Sequence, residues 1–158
     1  MPDNGLDLTS RRILQILGTD GRSSYQAIAD EVGLSRPAVM ERVKRLEEAG
    51  YITGYAARLD RARLGLPITA FVAVRYSSGA DAHEEAALTA LEQHPIVLEW
   101  HHVAGEDCFV LKVAAPTIDR LEKLIREMKG QGHGVTTRTT IVLSTVFEKP
   151  GIVPVESD

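Results

Sequence analysis

The chain has 158 residues, of which 44% are hydrophobic and 25% charged, and its formal net charge is −4. That length allows one domain or two small ones, and the composition is ordinary for a globular protein with a buried core. The single cysteine, Cys108, excludes an internal disulfide framework and any multi-cysteine zinc site; no apolar run is long enough to span a membrane and no signal-peptide pattern opens the chain, so a cytoplasmic location is expected.

After a loose terminus at Met1 to Gly5, Leu8 to Gly18 reads as a helix, with Asp7 or Thr9 as its N-cap and Asp20-Gly21 as the turn after it. The next stretch organises the chain. Tyr25 to Val32 reads as a helix capped by Ser24, with Ile28, Ala29 and Val32 as its apolar stripe. Gly33 suits a tight turn, and Ser35 caps a second helix over Arg36 to Ala49, ended by Gly50. Leu34 and Val39 take the two positions of a hydrophobic staple; Pro37 falls in the first turn, and Val39, Val43 and Leu46 form a core-facing stripe.

Between Arg36 and Arg45 there are four cations (Arg36, Arg42, Lys44 and Arg45) and one anion, Glu41. Two helices joined by a tight turn, the second one basic, have the shape that enters a DNA major groove. The bland alternative is a trihelical packing unit with a solvated charged face. An acidic chain that binds duplex DNA needs its cations gathered on one face, and this helix gathers them. Candidate DNA-contacting residues are Ser24, Tyr25, Ser35, Arg36, Pro37, Ala38, Arg42, Lys44 and Arg45. Arg36 and Arg42 are expected to approach base edges or phosphates, and Lys44 and Arg45 to meet phosphates.

Tyr51 to Leu59 suits two short strands about Thr53-Gly54, which would complete a winged helix-turn-helix. Domain boundaries are read as 1–60, a linker at 61–67 punctuated by Gly65-Leu66-Pro67, a second domain at 68–150 and a tail at 151–158. The second domain alternates: a strand at Ile68 to Tyr76, a helix at Ala82 to Gln93, strands at Val97 to Val103 and Cys108 to Ala114, a helix capped by Thr117, and a long strand from Val135 to Phe147. The order βαββαβ is a ferredoxin-like split unit, so the fold class is α+β. Its helices cover one sheet face. The other carries Val110, Val142 or Val146, Ala70 or Phe71, and Trp100 or Leu98, depending on register, and is too apolar to stay wet. A homodimer through this face is expected, and its two-fold axis matches a pseudo-palindromic DNA site.

The residues resemble the Lrp/AsnC, or feast/famine, transcriptional regulators over nearly the whole chain. The N-terminal match runs through Leu6-Asp7, Ile13-Leu14, Asp20-Gly21-Arg22, Ile28-Ala29, Val32-Gly33-Leu34-Ser35, Val39, Arg42-Val43-Lys44-Arg45-Leu46-Glu47, Gly50-Tyr51-Ile52 and Gly54-Tyr55. The C-terminal match is Gly105, Phe109-Val110-Leu111-Lys112-Val113 and Thr136-Thr137-Arg138-Thr139-Thr140-Ile141-Val142-Leu143. The resemblance implies a winged helix-turn-helix followed by a ferredoxin-like (RAM) domain that dimerises, often assembles to octamers, and takes amino acids or related metabolites as effectors. Ser10 stands where aspartate is common. Gly105-Glu106-Asp107-Cys108 stands where many members have glycine, a variable residue, an aromatic and aspartate, so no effector identity carries over.

The candidate effector residues are Gly105, Glu106, Asp107, Thr137 and Thr139. The two acids suit an ammonium group, and the two threonines, on one face of their strand, offer hydroxyls to a carboxylate. The same residues read equally well as a capped turn beside a solvated threonine ladder. No cofactor is expected. His94, His101, His102, Glu99 and Cys108 do not make a metal site, because adjacent histidines on a strand point to opposite faces. Two other functions are weighed: an enzyme like the sirohaem decarboxylases, which resemble the family in fold, and a DNA-organising protein without an effector. The basic second helix favours DNA binding over the enzyme.

Overall fold

The computed structural model describes residues 6–76, 91–130 and 135–149. It divides into two compact units, 1–58 with 147–158, and 59–146.

The first unit is helical: α1 (Leu8–Thr19), α2 (Tyr25–Val32) and α3 (Arg36–Glu48). Each helix starts at a side-chain cap. Asp7 accepts from the Ser10 amide, Ser24 from Ala27 and Ser35 from Ala38, satisfying donors that a helix cannot pair internally. Gly33 adopts φ 69°, a left-handed conformation that ends α2 and turns the chain into α3. Ile13, Ile28, Ala29, Val39, Val43 and Leu46 form the buried core, flanked by Leu14, Leu17, Val32, Leu34 and Ile52.

The hairpin expected at Tyr51 to Leu59 does not form; no strand pairing occurs from 51 to 60. Side-chain anchors hold the segment instead. Ile52 packs on the helical core and its amide donates to the Leu46 carbonyl at 3.2 Å. The Tyr55 ring lies over Gly21, where a Cβ would come within 3.5 Å of it, and the Tyr55 hydroxyl donates to Glu47 at 2.9 Å. Burial and the Glu47 carboxylate push the Tyr55 hydroxyl up to about 12. The Arg58 guanidinium donates to the Glu148 carbonyl at 3.0 Å.

The second unit holds a four-stranded antiparallel sheet in the order β2-β3-β1-β4, with β1 (Ile68–Tyr76), β2 (Val97–His102), β3 (Phe109–Ala115) and β4 (Val135–Ile141). One helix, α4 (Ile118–Gly130), joins β3 to β4. The helix expected at 82–93 lies outside the described residues apart from its end, where Leu91 and Glu92 are helical. Ala70, Val72, Val74, Phe109, Leu111 and Val113 face the helix side and pack with Leu121, Leu124 and Met128 of α4.

Register settles the other face. Phe71, Ala73 and Val110 lie on it, whereas Ala70 and Trp100 belong to the helix side. The last strand is shorter than expected, stopping at Ile141 rather than Phe147. Its partner runs out: Ile141 stands opposite Ala70, and the Val142 amide reaches Thr69 near the start of β1.

Candidate DNA-binding surface and ligand loop

The starts of α2 and α3 come together. Ser23, Ser24, Tyr25, Gln26 and Arg36 line a shallow cleft. Two helix N-termini with free backbone donors and an arginine make an anion-attracting corner. Arg36, Pro37, Met40, Lys44 and Arg45 are exposed along α3, and Ala38 is half-buried. Gln26 and Met40 escaped the sequence reading, although Met40 is turned from the Val39–Val43 stripe by the helical repeat alone.

The cations of α3 are not equally available. Arg45 pairs with Glu41 at 3.0 Å and Lys44 with Glu48 at 3.6 Å, both one turn apart and exposed. Such pairs stabilise by only about 0.2–0.5 kcal/mol, so phosphate can displace the glutamates. Arg36 has no carboxylate partner among the described residues. Arg42, expected on the exposed face, instead donates to Asp7 Oδ2 at 2.6 Å and to Ser10 Oγ at 3.2 Å.

The Ser10 amide, then Arg42, hold the Asp7 carboxyl at about 2, against 3.8 for the free group. The ionised form therefore stabilises the fold in full above about pH 4, and this contribution fades as pH falls toward 2. Thermal melts in acid test it: between about pH 5 and 2 the melting temperature should fall less steeply for Asp7→Asn than for the wild type. Equal slopes would show that Asp7 carries no folding-linked proton.

In the sheet unit, β2 and β3 are joined by a tight loop closed by the Val103 amide on the Cys108 carbonyl at 3.0 Å. Gly105 takes φ 146°, a conformation that L side chains rarely adopt, with open space where a Cβ would stand. Asp107 Oδ2 accepts from Arg138 at 2.6 Å, and its Oδ1 lies 3.9 Å from Arg75. Glu106 lies 3.3 Å from Arg75. The Asp107 side chain is only 18% exposed, while that of Glu106 is 87% exposed.

Thr137 and Thr139 share a face, but not the face of these arginines. They stand opposite Val74 and Val72 on the helix side, and Arg138 between them points the other way. The sheet thus separates the two halves of the expected ligand site. Arg75 and Arg138, which the sequence reading passed over, stand beside the acids; the strand alternation of Thr137, Arg138 and Thr139 held that signal.

The histidines scatter. His101 bonds Glu99 at 3.1 Å, and together with Lys112 it keeps that carboxyl below the usual range. His102 stacks on Phe109 with ring centroids 4.9 Å apart.

The chain thus carries a helix-turn-helix with an exposed basic helix and, after it, an antiparallel sheet unit with a closed polar loop. Residues 6–53 match the winged helix-turn-helix DNA-binding model, and residues 69–152 match the Lrp/AsnC ligand binding domain. The chain is 33% identical to the HTH-type transcriptional regulator LrpA of Mycobacterium tuberculosis over 96% of this chain and 99% of that one. It is 35% identical to the leucine-responsive regulatory protein of Escherichia coli, over 96% of this chain and 93% of that one. A solved feast or famine regulatory protein from M. tuberculosis, complexed with L-methionine, superposes with a TM-score of 0.84 at 34% identity, covering 94% of this chain and 99% of that one. The chain belongs to the Lrp/AsnC family of DNA-binding transcriptional regulators. Its relatives are named as regulators, not enzymes, and the decarboxylase reading is set aside.

Proposed function

We propose that this protein is a cytoplasmic, sequence-specific regulator that binds a pseudo-palindromic duplex as a homodimer, assembles further to an octamer, and changes its assembly on binding an amino acid. The observation that carries the DNA half is Arg36, unpaired among the described residues beside the N-termini of α2 and α3. Ser24, Tyr25, Ser35, Pro37 and Ala38 approach the phosphate backbone there, Arg36 reaches base edges or phosphate, and Lys44 and Arg45 exchange their glutamates for phosphates. The functional boundary is placed at the 61–67 connector, with 68–150 as the sensing and assembly domain and 151–158 as a tail.

The methionine complex of a relative supports an amino-acid effector. Gly105, Glu106 and Asp107 are the proposed receptor loop. Glu106, the more open acid, faces the ammonium; Asp107 shapes the loop from beneath. Thr137 and Thr139, on the opposite face of β4, take at most an indirect part. A ligand changes DNA binding only by binding two states of the protein unequally, and the two states in this reading are different assemblies.

Light scattering of the full chain against the twenty amino acids tests this. At least one amino acid should shift the assembly state, and Gly105→Trp should abolish the shift while leaving DNA affinity within about twofold. An assembly indifferent to every amino acid, with DNA binding intact, would leave an effector-free DNA organiser.

A further inference from the structure

The Asp7 carboxylate is divided between two helices. Oδ1 accepts the Ser10 amide at 2.7 Å and so caps α1, while Oδ2 accepts Arg42 Nη1 at 2.6 Å from α3. The same Nη1 donates to Ser10 Oγ at 3.2 Å, and Ser10 is the buried polar residue of this unit among the described residues. The Arg42 side chain is 34% exposed, against 68% for Lys44 and 72% for Arg45. By the helical repeat Arg42 borders the Val39–Val43–Leu46 stripe on the α1 side, about 100° or more from Pro37, Glu41, Lys44 and Glu48, which face outward.

We propose that Arg42 is a positioning residue, not a DNA contact: with Asp7 and Ser10 it forms a clamp that sets the attitude of α3 on α1. The inference rests on α3 being the helix that reads DNA. The physical need is plain. Among the described residues the buried cluster of this unit has six members, all aliphatic, with further apolar side chains packed around it. Apolar contact of that kind is non-directional and leaves helix rotation and tilt loosely specified. A planar guanidinium held by a carboxylate and a hydroxyl is directional, and it is anchored where the carboxylate is already fixed by capping. A side chain that must leave Asp7 to reach DNA would give up this contact at the moment when helix attitude matters most.

The test uses the full chain and a duplex selected by the wild type from a random pool. Asp7→Asn keeps an oxygen for the Ser10 amide and removes the charge; Arg42→Met keeps the stem and removes the head; Arg42→Gln removes the charge and the reach to Asp7 while staying polar, and serves if Arg42→Met does not fold. Affinity is measured across a salt series well below each variant's melting temperature. Each single change should weaken binding to the selected duplex about three- to tenfold, with the slope of log affinity against log salt unchanged. Asp7→Asn with Arg42→Met should be no weaker than either alone, because both break one contact.

Two results would overturn the clamp. A slope lower by about 1 in Arg42→Met, with tighter binding in Asp7→Asn because the guanidinium is released, would make Arg42 a phosphate contact. Variants that melt earlier but keep full affinity and selectivity would reduce the contact to ordinary stability. A wild type that selects no duplex would instead sink the reading of α3 itself.

Discussion

Val39→Asp should erase the helical unit's transition from a calorimetric melt and leave the sheet unit's transition in place. Val39 is fully buried with Ile13, Ile28 and Val43, and no cation lies among these neighbours. An uncompensated buried carboxylate costs at least several kcal/mol, even when it escapes by taking a proton. A unit of roughly 60 residues has about 3–9 kcal/mol of stability to lose, at about 0.05–0.15 kcal/mol per residue. With the lost packing of a fully buried valine added, the substitution removes most or all of it. The sheet unit keeps its own core of Val72, Val74, Leu111, Val113 and Leu124, none of which belongs to the helical cluster. Loss of both transitions together would show that the two cores are not independent.

The second large effect concerns assembly. Phe71 is 42% exposed on the sheet face away from α4, in register with Lys112 on β3 and Thr140 on β4. With Ala73 and Val110 it forms an apolar strip across the central strands. A two-fold interface would bring this strip against its own copy, so one substitution acts twice. Phe71→Asp should give a monomer in sedimentation, with unchanged far-UV circular dichroism, since an aspartate there meets Lys112 in the folded sheet. Affinity for a two-half-site duplex should fall at least tenfold, because each half-site then binds alone. A particle of wild-type size would remove this face from the interface.

The helical unit was legible because its signals are local. Asp7, Ser24 and Ser35 each name a helix start, and Gly33 names a turn, whatever lies elsewhere in the chain. Spacing alone also identified Val39, Val43 and Leu46 as the buried stripe. What was illegible depended on pairing at a distance. Tyr51 to Leu59 has strand-forming residues but no strand pairs with it among the described residues, and Ile52 and Tyr55 anchor it instead. The end of β4 is set by where β1 begins, which β4 itself does not encode.

The same holds for the site residues. The helical repeat puts Arg42 at the border of the buried stripe, but what holds it there is Asp7, 35 positions away, which spacing within α3 does not reveal. Glu106 and Asp107 announce a polar loop, but the sheet decides that Arg75 and Arg138 lie beside it and that Thr137 and Thr139 do not.

If the start of α3 is the surface that meets DNA, equilibrium binding of Arg36→Ala to the wild-type-selected duplex, across a salt series, will register it. Arg36 has no carboxylate partner among the described residues, so its removal leaves no buried charge behind and fluorescence anisotropy reads DNA contact alone. Arg36→Ala should lose about 1–3 kcal/mol of binding if Arg36 reads a base, or weaken binding uniformly with a salt slope lower by about 1 if it meets a phosphate. Affinity and slope both indistinguishable from wild type would contradict DNA contact at the start of α3.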